Sequence, residues 1–130
     1  MIELNQAQVT ISSGIEGDFR GKSGKRQITV LSQKSWQQAC RQIGKELPWI
    51  GRRANLLVDD LELEYSSGKK LIIGEVVLEI SGETRPCYRM DEFALGLQEA
   101  LKANWRAGVT CRVLKGGPIR IGDEVVMEDR

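Results

Sequence analysis

The chain has no histidine. No imidazole is there to ligate a metal or shuttle a proton near neutral pH. Any chemistry must run on cysteine, carboxylates, arginines or a bound cofactor. Charge of one sign is also missing. Nineteen basic residues against 18 acidic ones leave a net charge of +1, which is not the footprint of a nucleic-acid binder held by charge. No apolar run approaches the roughly 20 residues a membrane helix needs. The start, Met1 to Gln6, lacks the basic-then-apolar order of a signal peptide. These absences predict no nucleic acid and no membrane among the partners. The three cysteines, Cys40, Cys87 and Cys111, have no CxxC spacing and form an odd set. They suggest neither a disulfide framework nor a zinc site, and a reducing cytoplasm is the expected location. No segment has the pattern of a flavin, haem or iron–sulfur site.

What is present is a chain of 130 residues, the length of one ordinary domain, expected to span 1–130. Short apolar or alternating runs recur: Val9 to Ser12, Gln27 to Leu31, Asn55 to Val58, Lys70 to Ile73, Val76 to Ile80, Val109 to Leu114, Ile119 to Ile121 and Glu124 to Met127. Glycine-rich turns separate them, which predicts a mostly β barrel or sandwich. Two helices are expected. Gln33 to Lys45 carries Trp36, Cys40 and Ile43 at helical spacing, with Ser32 as N-cap and Pro48 beyond the end. Asp91 to Trp105 carries Phe93, Leu97, Ala100 and Leu101 on one face, with Asp91 as cap. Ile73-Gly74-Glu75-Val76-Val77 echoes Ile121-Gly122-Asp123-Glu124-Val125, which predicts two similar hairpin corners.

Cys87 is the candidate centre. It follows Pro86, whose ring fixes one backbone angle, and lies between Arg85 and Arg89. Nearby positive charge favours the thiolate, the nucleophilic and metal-binding form. The alternative is a small apolar filler of a loop pocket. Cys40, on the apolar face of the first helix, and Cys111, in an alternating strand, read as core. The loop from Asp18 to Arg26 combines glycines with Arg20, Lys22, Lys25 and Arg26. It can cradle an anion or be a solvated hairpin loop, and it lacks the Walker A spacing. Arg52, Arg53, Asn55 and Arg106 offer further anion contacts, against a bland reading as surface charge and a turn asparagine. Trp36, Trp49 and Trp105 read as core and rim aromatics.

Several blocks then occur in a familiar order: Gly14-Ile15-Glu16-Gly17-Asp18, Arg26 to Ser32, Gly51 to Leu57 with Leu61-Glu62-Leu63, Ile73-Gly74-Glu75 through Pro86-Cys87, Trp105 to Val109, and Ile121 to Val125. The ordered set resembles the MOSC domain, named after the C-terminal part of molybdenum cofactor sulfurase, in its short stand-alone form. The resemblance implies a mostly antiparallel β-barrel with a few short helices. It implies a molybdenum-pterin cofactor, with Cys87 as metal ligand or as persulfide sulfur carrier, and it puts Asn55 and Arg106 near the cysteine pocket. Arg20, Lys22, Asn55, Arg85, Arg89 and Arg106 are the residues expected to hold the cofactor. Partners would be the small-molecule cofactor or sulfur, together with a protein that donates sulfur or electrons. Many members have a basic residue and a histidine after the Gly-Asp pair, where this chain has Phe19 and Arg20. The central block often reads Gly-Glu-Asn, where this chain has Arg53-Ala54-Asn55. Three functions follow: a cofactor-binding or sulfur-transfer module, a component that reduces N-hydroxylated compounds with external electrons, or an interaction barrel without chemistry.

Overall fold

The computed structural model of the protein describes residues 6–11, 14–15, 28–48, 56–59, 61–86 and 89–129. Among these residues, nine strands, three short α-helices and one 3-10 turn follow in the order β1 (Gln6–Thr10), β2 (Gly14–Ile15), β3 (Ile28–Ser32), α1 (Gln33–Gln42), β4 (Leu56–Val58), β5 (Lys70–Ile73), β6 (Val76–Glu83), α2 (Arg89–Phe93), α3 (Leu97–Lys102), the 3-10 turn (Ala103–Trp105), β7 (Val109–Lys115), β8 (Gly117–Arg120) and β9 (Val125–Glu128). The fold is mostly β, as expected. A curled six-stranded sheet runs β4-β3-β7-β6-β5-β9, and a smaller sheet runs β2-β1-β8. All pairs are antiparallel except β3 with β4. That parallel pair needs a crossover connection, and α1 lies on it.

Strand β3 divides the interior in two. Successive side chains of a strand point to opposite faces. Ile28 and Val30 therefore enter a core between the sheets, with Val9, Leu71, Leu78, Ile80, Val109, Cys111 and Ile119. Leu31 turns the other way and joins Trp36, Ala39, Cys40, Met90, Leu97, Ala100 and Leu101. The helices thus cover one face of a sheet whose other face closes the barrel. The Trp36 indole meets the rule for a buried N–H by donating to the Leu47 carbonyl at 2.8 Å.

The β5–β6 hairpin forms as its sequence predicts. Gly74 takes a φ of +60° in the two-residue turn that pairs Ile73 with Val76. The echoing segment does not. Strands β8 and β9 belong to different sheets, so Ile121 to Glu124 is a corner between sheets. There Asp123 accepts from the Arg120 backbone N–H at 2.9 Å, and the Asp123 N–H donates to the Arg120 carbonyl.

Both helix expectations need correction. Helix α1 stops at Gln42, because Gly44 adopts a φ of +71°. The Gly44 N–H bonds the Arg41 carbonyl and the Lys45 N–H bonds the Cys40 carbonyl, a Schellman closure that ends the helix before Pro48. Ser32 holds the N-cap position, but its hydroxyl donates to the Asp59 carbonyl instead of capping α1. The stretch 91–105 is not one helix. Gly96 at φ +90° separates α2 from α3, and Asn104 and Trp105 are left-handed at +52° and +59°. Asp91 caps across the break, with its Oδ1 accepting from the Gln98 N–H at 2.9 Å.

Gly108 sits where β7 begins, with a φ of +93° and its backbone pressed on β3. A Cβ there would run into the Val30 carbonyl, and that neighbour is main chain. Gly108→Ala is predicted to lower unfolding stability by about 3 kcal/mol or more, read by urea denaturation. A loss under about 1 kcal/mol would contradict this packing.

Candidate functional site

The strand that leads to Cys87 is well anchored. Val76 to Ile80 alternates between core and outer face, and β6 pairs with β7 as far as Glu83 opposite Val109. Beyond the strand, the Thr84 N–H donates to the Gly108 carbonyl at 2.9 Å. Arg85 is exposed, and no carboxylate pairs with it among the described residues. The Pro86 carbonyl has a long contact of 3.5 Å with the Gln98 amide. Past Cys87 and Tyr88 the chain enters α2, where Met90 is buried in the helix-side core.

Cys87, Arg20, Lys22, Asn55 and Trp49 lie outside the described residues. The backbone of Arg89 opens α2. Arg106 is described in full and faces the helices. Its Nη1 donates to the Gln42 side-chain oxygen and to the Ala100 carbonyl. It lines a cleft with Gln38, Arg41 and Gln42, three residues the sequence reading did not single out. Their three- and four-residue spacing puts them on one face of α1, a pattern any solvated helix face also shows.

Among the described residues, two buried side-chain polar atoms have no partner: the Thr84 hydroxyl and the Arg106 Nε. Both belong to residues within two positions of the Thr84–Gly108 hydrogen bond. Native proteins leave few such groups unmet, so each marks a place where a ligand or water would be accepted. Among the described residues no cluster of three Cys, Asp or Glu side chains could hold a metal ion.

The other two thiols are core, as expected. Cys40 is buried against α3 and burial raises its pKa, partly offset by a backbone hydrogen bond from the Leu47 region. Cys111 has no exposed surface, and burial pushes its thiol from 9.0 up to about 12. Neither is a thiolate near neutral pH. Trp36 is core, whereas Trp105 is half-buried with its ring 5.6 Å from that of Tyr65.

The MOSC domain pattern matches residues 16–126. The chain belongs to the MOSC domain family. This MOSC domain also shares its fold with solved structures. YuaD from Bacillus subtilis is 19% identical with a TM-score of 0.85, over 99% of this chain and 87% of that one. YiiM from Escherichia coli is 18% identical at 0.75, over 99% of this chain and 65% of YiiM. YiiM from Geobacillus stearothermophilus is 20% identical at 0.70, over 81% of this chain and 55% of YiiM. This MOSC domain therefore spans less than two thirds of either YiiM chain. No curated protein matches it in sequence. The family places the domain in the setting of the molybdenum cofactor in general. No described helix is long and apolar enough to cross a membrane.

The Cys111 environment has a pH consequence. An unfolded chain loses this proton as pH rises through 9.0, while the folded protein keeps it until about 12. The folded state then binds more protons, so stability falls with rising pH over that window and is untouched below it. Urea midpoints from pH 8 to 11 are predicted to fall more steeply for the wild type than for Cys111→Ala. Parallel curves would contradict the buried-thiol account.

Proposed function

We propose that this MOSC domain handles the molybdenum-pterin cofactor or its sulfur through Cys87. The observation that carries the reading is the setting of the cysteine loop. Among the described residues, its flanks are the Thr84–Gly108 bond on one side and buried Met90 on the other, with the exposed Arg85 and two unmet buried polar groups, on Thr84 and Arg106, close by. Such a setting suits an anionic ligand and a thiolate. The cofactor, when bound, would supply the molybdenum centre. Arg20, Lys22, Asn55, Arg85, Arg89 and Arg106 would hold its anionic groups, and Cys87 would offer the soft sulfur ligand.

As a sulfur carrier, the Cys87 thiolate would attack the outer sulfur of a donor persulfide. A bond forms between Cys87 Sγ and that sulfur, the donor's S–S bond breaks, and the donor leaves as its thiolate. No external oxidant is needed. Arg85 and Arg89 would keep Cys87 ionised for the attack. The donor would be a separate protein, and a reducing cytoplasm would keep Cys87 free between transfers.

The test is intact mass with elemental analysis on protein expressed with excess molybdate and purified without reductant, beside Cys87→Ala. One added sulfur, or bound molybdenum and pterin, is expected in the wild type and absent in the variant. An unmodified, metal-free chain in both would overturn the reading.

A further inference from the structure

The helices cover only part of the six-stranded sheet. From its strands, Leu31 on β3 and Leu57 on β4 join the helix-side core. At the other end, Leu71, Leu78 and Val113 point into the barrel, so the alternate residues of β7, β6, β5 and β9 face outward. On that outer face Val126 and Leu114 are exposed, and Ile72 and Val77 are half-buried. Val126, Ile72 and Val77 stand in one row across three strands, and Leu114 is the extra residue of the β-bulge beside Val77.

The next row along the strands is charged and alternates in sign. Glu128 on β9 lies opposite Lys70 on β5, Lys70 opposite Glu79 on β6, and Glu79 opposite Arg112 on β7. Opposite charges on neighbouring strands can stabilise a sheet from within, and Glu79 does pair with Arg112 at 3.1 Å. Lys70 and Glu128 form no ion pair among the described residues, although the register sets them side by side.

A row of minus, plus, minus, plus is complementary to its own reverse. A two-fold axis parallel to the strands, between β5 and β6, lays β5 over β6 of a second copy and β9 over its β7. Lys70 then meets the partner's Glu79, and Glu128 meets the partner's Arg112. The apolar rows meet as well, with Ile72 over the partner's Val77. At the far end, Lys115 closes β7 and Glu124 precedes β9, so these opposite charges also come together between copies. Sheets stack face to face in this aligned way, within about 30° of parallel. Four strands make a face about 15–20 Å wide, a small interface that gives a weak dimer.

We infer that this MOSC domain pairs with a second copy of itself through the outer face of β7, β6, β5 and β9. The pairing does not rest on the reading of Cys87.

The experiment is analytical ultracentrifugation of the full chain in low salt, from about 10 µM to 1 mM. The wild type is expected to dimerise with a Kd of roughly 100 µM. Lys70→Glu and Glu79→Lys should each weaken self-association about tenfold or more, because like charges then meet at the centre of the interface. An equimolar mixture of these two variants should associate about as tightly as the wild type, because each offers the charge the other lacks. Charge pairs within one sheet cannot produce that rescue. Arg112→Glu mixed with Glu128→Lys, the outer pair of the row, should behave in the same way. Three results would each overturn the pairing. The first is a wild type that stays monomeric to about 1 mM, which leaves the face to a different protein. The second is a dimer that neither central variant weakens, which points to pairing along the free edge of β9. The third is a set of variants with wild-type circular dichroism that fail to rescue each other when mixed.

Discussion

The backbone contact between Gly108 and β3 is the constraint on which the rest of the molecule depends. Gly108 brings the start of β7 so close to Val30 that no side chain fits between them. Its carbonyl also receives the Thr84 N–H, which ends β6 and begins the segment leading to Cys87. One glycine thus joins β3, β6 and β7. Its left-handed φ lets the chain leave the turn at Trp105 and enter the sheet at once.

Around that junction, β3 serves as a wall common to two cores. Val30 packs inside the barrel and Leu31 under the helices. The helices are short, and their stability comes from packing on this wall more than from intrinsic propensity. Burial also sorts the cysteines. Desolvation holds Cys40 and Cys111 as neutral thiols, and the thiolate chemistry we propose is that of Cys87.

Local signals in the sequence were readable where local physics decides. Gly74 marked the β5–β6 turn, and strict alternation marked β7 and the burial of Cys111. The misreadings arose where distant contacts decide. Nothing near β3 and β4 says that they pair in parallel. The apolar spacing of Phe93, Leu97 and Leu101 suits a continuous helix, yet Gly96 breaks it and Asn104 and Trp105 turn left-handed, with the Trp105 ring set against Tyr65 from another turn. The Gly74 and Gly122 corners look alike in sequence. One closes a hairpin and the other passes between sheets, because the partners of β9 and β8 are elsewhere. At the site, the charge pattern around Cys87 was legible in the sequence. The Gln38, Arg41 and Gln42 face was not, since a polar helix face looks like solvated surface until Arg106 folds over it.

The central claim is that Cys87 is an activated thiolate. Its most direct test is the rate of iodoacetamide labelling at Cys87 in the native protein as a function of pH, read by peptide mass spectrometry. The account predicts an inflection clearly below the ordinary thiol value of about 8.5. An inflection at or above that value would contradict it.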